Sequence, residues 1–303
     1  MKSSNIGGQA VMEGVMMRNA DKYAVAVRKT DGEIVVKTEE YKGIVQNKKI
    51  RSLPIIRGVF SFIDSMVLGM STLTYSASFF MDEEEEEKDE KKDSVMMGLT
   101  IACSVVMAVA IFMILPYFLS QLFREFTDST TLITLLEGAV RLVIFFGYIL
   151  LISRMKDIQR VFMYHGAEHK CINCIEHGME LNVENVLKSS RLHKRCGTSF
   201  LFIVMIVSII FFLFIRIESP IWRVVFRLLL IPVIAGVSFE FIRLAGKSEN
   251  KLVILLSKPG MMLQKLTTRE PDASMAEVAI ASVEAVFDWR AYLKENFGWQ
   301  EKV

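Results

Sequence analysis

The sequence has little of what holds small secreted or fibrous proteins together. Of its 303 residues only 4 are cysteine, 6 proline and 17 glycine. Those counts, with the high apolar content, exclude a disulfide scaffold, a collagen-like repeat and a disordered chain. The cysteines, at 103, 171, 174 and 196, suit a reduced compartment. No G-x-S-x-G, P-loop or G-x-G-x-x-G run occurs, so serine hydrolase, NTPase and dinucleotide readings have no support. Paired Glu-x-x-His motifs for a di-iron carboxylate site are also missing. The first fifty residues carry charges throughout and contain no apolar signal-peptide core.

What is present is apolar and blocked. Hydrophobic residues make up 52% and charged residues 23%, with a mean hydropathy of +0.36. The apolar residues fall into long runs, which reads as bilayer rather than as one soluble core. The expected fold is mostly α, a polytopic membrane protein with about four transmembrane helices near 95–119, 132–152, 198–215 and 224–245. Glu137 and Arg141 interrupt the second run four residues apart, so they can pair on one helix face. A small β-rich unit, 1–52, precedes them. In it Tyr23–Val27 and Glu33–Lys37 read as a hairpin around an Asp-Gly turn. Residues 53–80 are apolar but broken by Arg57 and Asp64, and read as an interfacial or re-entrant helix. An acidic linker, 81–94, follows. The tail, 247–303, reads as helical. Pro259-Gly260 suggests an amphipathic hairpin there, and Ser274-x-x-Glu277 a capping box.

Net charge is +2, but Asp82 to Asp93 alone holds nine acids against three lysines. The rest of the chain is basic, with no nucleic-acid recognition motif beside the charge. Residues 154–198 carry eight Lys/Arg, the linker 120–131 carries one and the linker 216–223 two. The positive-inside rule therefore expects 154–197 to be a cytosolic loop, with both termini cytoplasmic. The expected partners are the lipid bilayer and a protein docked on the basic cytosolic face. A homo-oligomer stays open.

The chemistry concentrates in that loop. All four histidines and three of the four cysteines lie between 165 and 196. His165-Gly-Ala-Glu168-His169 places two histidines four apart on one helix face, able to converge on a divalent metal such as zinc, with Glu168 as general base. Cys171-x-x-Cys174 and His193-x-x-Cys196 have the spacing of a closed structural zinc site. Both readings stand at this point. The first pattern lacks a third ligand, and Glu240, one and a half turns from the cytosolic end of the last run, is a candidate. Its competing partner is Arg243 or another arginine. In the glycine-rich opening 6–18, Glu13 and Arg18 are further candidates.

The run Gly7-Gly-Gln-Ala-Val-Met-Glu-Gly-Val-Met-Met-Arg18 resembles the opening signature of the YqhQ-type family of bacterial membrane proteins. The resemblance continues through Tyr164-His-Gly-Ala-Glu-His-Lys170, Glu184-Asn-Val186, Ser190-Arg-Leu-His193, Arg195-Cys-Gly-Thr-Ser-Phe200 and Leu266-Thr-Thr-Arg-Glu-Pro271. It covers almost the whole chain. It implies a family of unknown function, labelled a predicted metal-dependent enzyme. Two functions follow as expectations. One is a metal-dependent hydrolase. The other is a non-enzymatic membrane factor, whose zinc loop and basic surface dock a translocation or ribosomal component.

Overall fold

A computed structural model describes residues 2–80, 90–215, 217, 219–247 and 250–300. About 70% of the chain is helical, and one antiparallel sheet lies near the N-terminus in the order β1-β2-β3-β4. Its strands are β1 (Gly7–Val11), β2 (Gly14–Asn19), β3 (Lys22–Arg28) and β4 (Ile34–Glu40). The hairpin expected at 23–37 is present, with Arg28 paired to Ile34. The glycine-rich opening is itself a hairpin. Val11 pairs with Gly14, and Glu13 takes a positive φ of 49° in the two-residue turn. A Cβ on Gly14 would stand 2.3 Å from the Ala26 carbonyl oxygen of β3, so only glycine fits the close strand approach there.

Helices follow: α1 (Lys48–Ser52), α2 (Ile56–Ala77), α3 (Glu90–Val109), α4 (Leu115–Gln121), α5 (Thr130–Ile152), α6 (Lys156–Glu176), α7 (Val183–Lys188), α8 (Gly197–Phe214), α9 (Pro220–Lys247), α10 (Lys251–Thr267), α11 (Ala273–Val286) and α12 (Trp289–Phe297). The acidic stretch 81–89 lies outside the described residues. A π-helical turn, Ala110–Ile114, joins α3 to α4. It lies just ahead of Pro116, whose missing N–H cannot continue the regular ladder. Five stretches are long and apolar enough to cross a bilayer. Four match the expected runs, and the fifth is Ile56–Phe80.

The chain divides into two compact units. The first comprises Met1–Phe80, Ser153–Ile203 and Ala235–Val303. Here one face of the sheet, with Val15, Met17, Ala24 and Ala26, joins a core with α6 and α11 through Ala167, Cys171, Met275 and Ala279. The other face, with Val11, Met16, Val25 and Val27, packs on Leu68 of α2. The polar residues that interrupt α2 are satisfied within this unit. The Asp64 carboxylate accepts from the Tyr41 hydroxyl at 3.1 Å and the Ile44 N–H at 2.8 Å, and Arg57 pairs with Glu240.

Two local expectations in the tail are corrected. Pro259-Gly260 does not turn the chain; α10 runs straight through it. Gly260 packs so closely on Ser199 that a Cβ would sit 3.0 Å from the serine Cβ. The cap of α11 is Asp272, accepting from the Met275 N–H at 2.9 Å, because its carboxylate reaches the first turn before Ser274 can. Glu277 instead pairs with Arg28 at 2.8 Å.

The second unit comprises Met81–Ile152 and Val204–Ile234. Its centre is ionic. Glu137 accepts from Arg227 at 2.6 and 2.8 Å and from Arg141 at 2.8 Å, the helix-face pair expected from spacing. Arg141 also donates to the Ser208 hydroxyl at 3.0 Å. The Phe212 ring lies 5.1 Å from one guanidinium and 4.6 Å from the other. All three charged residues are buried.

Candidate metal centre

The site is built on α6, which continues unbroken from Lys156 to Glu176. Its polar residues hold an irregular segment against it. Lys170 Nζ donates to the Leu187 and Ser189 carbonyls, both at 2.8 Å. Asn173 Nδ2 donates to the Ser190 and Leu192 carbonyls at 2.7 and 3.0 Å. From α10, Gln264 accepts the His193 N–H at 2.9 Å and donates to the His193 carbonyl and the Ser199 hydroxyl at 2.8 Å each. These bonds fix the chain on both sides of Cys196, which stands just ahead of α8.

The result is a three-residue cluster. Ligand atoms of His165, His169 and Cys196 all lie within 4.8 Å of one another. Cys196 Sγ is 3.3 Å from His165 Nε2, and the two imidazole centroids are 4.4 Å apart. The outer nitrogen of each ring is held by a backbone carbonyl: His165 Nδ1 by Thr267 at 2.9 Å and His169 Nδ1 by Arg191 at 2.7 Å. A carbonyl only accepts, so both Nδ1 atoms carry a proton and both Nε2 atoms are turned to the cluster.

Burial alone would raise the Cys196 thiol, but the adjacent His165, and then His169, hold it well below its ordinary pKa. Burial works against the charged form of His165 too, yet the Cys196 thiolate raises it to about 9. His169 is raised from the same source. The thiol and the two imidazoles thus favour one another's charged forms, with His165 Nε2 facing the sulfur. The N–H and hydroxyl of Thr198, at the start of α8, lie 3.4 and 3.1 Å from the sulfur and favour its negative charge.

A cavity of about 180 Å³ opens on the cluster. Asn5, Gly7 and Gly8 of the N-terminal segment line it, together with Glu168 and Arg195. The Glu168 carboxylate is buried and 4.0 Å from His165 Nε2.

The four-ligand zinc site expected from Cys171, Cys174, His193 and Cys196 is not assembled. Because α6 continues through them, Cys171 and Cys174 sit on a helix rather than on a knuckle turn. Both are buried in the hydrophobic core, and the Cys174 thiol points at the Glu180 carbonyl at 3.3 Å. His193 turns to Glu176 at 3.4 Å. Glu176 also accepts from the Ser4 N–H at 2.7 Å and from Arg195 at 2.5 Å. Nor does Glu240 supply the third ligand: its carboxylate is paired bidentately with Arg57, with Arg243 at 4.0 Å. Cys196 is the residue that joins His165 and His169, so one cluster draws on both sequence patterns. Glu13 forms a two-pronged ion pair with Arg160 and lies 3.3 Å from the Tyr164 hydroxyl. Arg18 donates to the Ala20 carbonyl at 2.8 Å and stacks over Tyr41.

Residues 53–289 match the model of a family described as a protein of unknown function, DUF1385. The chain belongs to that family. The uncharacterised protein YqhQ of Bacillus subtilis (strain 168) is 36% identical over 301 residues, spanning 96% of this chain and 94% of the relative. No solved structure matches. The YqhQ-type resemblance of the sequence motifs is therefore shown. The 237 residues matched to the family include every member of the cluster and begin after the glycine-rich opening.

Proposed function

We propose that this DUF1385 protein is an integral membrane hydrolase that holds a zinc ion on His165, His169 and Cys196, with Glu168 as general base. The observation that carries this reading is the pair of backbone carbonyls on the two Nδ1 atoms. They leave the two Nε2 atoms turned to the Cys196 sulfur, with all three ligand atoms within 4.8 Å of one another. Two nitrogens and a sulfur suit zinc. Three protein ligands beside a cavity leave a position for substrate, which a closed structural site lacks. When bound, the ion supplies Lewis acidity that polarises a carbonyl. Glu168 takes a proton from the attacking water and passes it to the leaving group as the carbonyl–leaving-group bond breaks.

The membrane reading rests on the five apolar helices and on the depth of the ionic cluster. Glu137 is seven residues from the start of α5, Arg227 seven from the start of α9, and Ser208 six from the end of α8. All three sit about 10 Å from one set of helix ends at 1.5 Å per residue. Packing within the first unit then constrains the path. The sheet and α6 share a core, so the chain between them crosses the bilayer an even number of times. Three apolar stretches lie between them, of which α2 is the least apolar and has its charges satisfied by the sheet and Glu240. The reading is that α2 enters and leaves on the cytosolic face. The other four helices cross, and both termini are cytosolic.

Metal analysis of detergent-purified protein tests the site. One zinc per chain is expected in the wild type, and its loss in His169→Ala and Cys196→Ala. Unchanged metal content in both folded variants overturns the reading. The Cys196–His165 contact of 3.3 Å favours a second reading, a cysteine nucleophile with His165 as its base. Alkylation separates the two: zinc protects the thiol, whereas a nucleophilic thiolate reacts as the protein is isolated.

A further inference from the structure

The edge of the N-terminal sheet runs beside the metal cavity, and its hydrogen bonding is incomplete. β1 is an edge strand. Val11 and Gly14 close a two-residue turn, and such a turn is closed by a hydrogen-bonded pair. Antiparallel ladders alternate from there. Gly7, Gln9 and Val11 therefore bond to β2, while Gly8 and Ala10 point their N–H and C=O groups away from it. The β2–β3 register, closed by Asn19 and Lys22 around its own two-residue turn, gives the same phase. Among the described residues no backbone or side-chain group bonds to these outward groups of Gly8 and Ala10.

Gly8 stands between two cavities. The metal cavity of about 180 Å³ lies on the α6 side. The second, of about 470 Å³, includes Arg18, Leu68 and Phe239, and shares Asn5, Gly7 and Gly8 with the first. A Cβ on Gly8 would stand 3.0 Å from Glu168 Cγ, so the strand backbone runs directly beside the proposed base. An edge with free N–H and C=O groups is satisfied by another extended backbone. Successive side chains of such a backbone point to opposite faces, and here one face offers the metal cavity and the other the Arg18 cavity.

We infer that the substrate is an extended polypeptide, bound as a fifth strand along β1 with its scissile amide at the metal cluster. This rests on the zinc-hydrolase reading and adds its substrate class. Alternate side chains enter the cavity bounded by Leu68, Phe239 and Arg18, which fits a long apolar residue or one ending in a carboxylate. In the reaction the water oxygen bonds to the amide carbon, the C–N bond breaks, and Glu168 carries the water proton to the departing amine.

The test uses purified full-length protein and three probes. These are acetohydroxamic acid, an N-acetyl tetrapeptide hydroxamate of alternating leucine and alanine, and two forms of that peptide N-methylated at alternate amides. Zinc content is measured alongside. The peptide hydroxamate should bind at least about tenfold more tightly than acetohydroxamic acid. One methylated form should lose that gain and the other keep it. Ala10→Pro removes an outward N–H without breaking the β1–β2 ladder; it should lose the gain with zinc unchanged. Equal binding of acetohydroxamic acid and the peptide hydroxamate overturns the inference and leaves the zinc reading standing, as does equal binding of both methylated forms. If no zinc is present, the zinc reading falls. The peptide as a plain amide, against its methylated forms, then decides the strand edge, and equal affinities overturn it.

Discussion

Gly166 lies between His165 and His169 on α6, and its replacement by alanine gives a sharp test of how the proposed site is held. A Cβ there would stand 2.0 Å from the Arg269 carbonyl oxygen, a backbone atom, whereas real Cβ contacts do not fall below 3.0 Å. The segment after α10 must therefore retreat by about 1 Å. That segment is bonded to α6 through the Arg269 N–H and the Phe162 carbonyl at 2.8 Å, and it pulls on Thr267, the last residue of α10, whose carbonyl holds His165 Nδ1 at 2.9 Å. A retreat of that size stretches the Thr267 bond to nearly 4 Å, beyond hydrogen-bond reach. Losing such an outer partner of a metal-ligating histidine costs about 10–100-fold in affinity, or about 1.4–2.8 kcal/mol. Overpacking the helix adds about 1–3 kcal/mol of destabilisation. The assay is zinc competition against a chromophoric chelator on detergent-purified, monodisperse protein. Gly197→Ala is the control: it adjoins Cys196, yet a Cβ there meets nothing within 4 Å. Gly166→Ala should lose zinc affinity and Gly197→Ala should not. A folded Gly166→Ala with wild-type affinity refutes the claim that the Thr267 carbonyl orients His165.

Single cysteines placed at 45, in 120–131 and at 290 test the path of the chain: the first and last should label from the cytosol and the middle one from outside. Cytosolic labelling in 120–131 overturns the assignment of α2 as the stretch that does not cross. Glu137→Gln leaves Arg141 and Arg227 buried without their shared counter-charge, and removing one partner of a buried ion pair costs about 3–5 kcal/mol. A sharp drop in folded yield is expected, and normal thermal stability would count against the cluster as a structural tie. Burial opposes ionisation of Glu176, but His193 and then Arg195 hold its folded pKa down at about 2. Its stabilising contribution is thus complete above the unfolded carboxylate value near 4.5 and is lost as pH falls toward about 2. Glu176→Gln should flatten the acid limb of the stability curve; an unaltered limb rejects that role.

Much of the fold was legible because the signals were local. The four long apolar runs and the Asp-Gly hairpin each announce themselves within one element. Residues 53–80 were ambiguous for a physical reason: Arg57 and Asp64 look costly in a span until Glu240 and the Ile44 N–H appear as partners. The β1–β2 hairpin was hidden because Gly7, Gly8 and Gly14 are poor strand formers. The value of Gly8 and Gly14 lies in letting the backbone approach Glu168 and β3, which tertiary structure alone reveals.

The candidate site was legible by residue type and not by grouping. Spacing correctly placed His165 and His169 on one face of α6, but it assigned Cys196 to a second centre with Cys171 and Cys174. What separates them is the length of α6. A helix running to Glu176 turns both of those thiols into the core, where burial pushes Cys174 up to about 12 and Cys171 well above its usual value. Neutral thiols of that kind are poor ligands. Cys196, freed from the helix, meets two rings and is held down as a thiolate. The groups that orient those rings, the carbonyls of Arg191 and Thr267, leave no side-chain trace. Their only mark in the sequence is the run of polar residues, Lys170, Asn173 and Gln264, that fix segments 187–199 in place. A buried lysine and a buried glutamine on neighbouring helices are costly unless they serve such a purpose. Their presence at positions otherwise suited to leucine is the signal from which the assembled site could have been read.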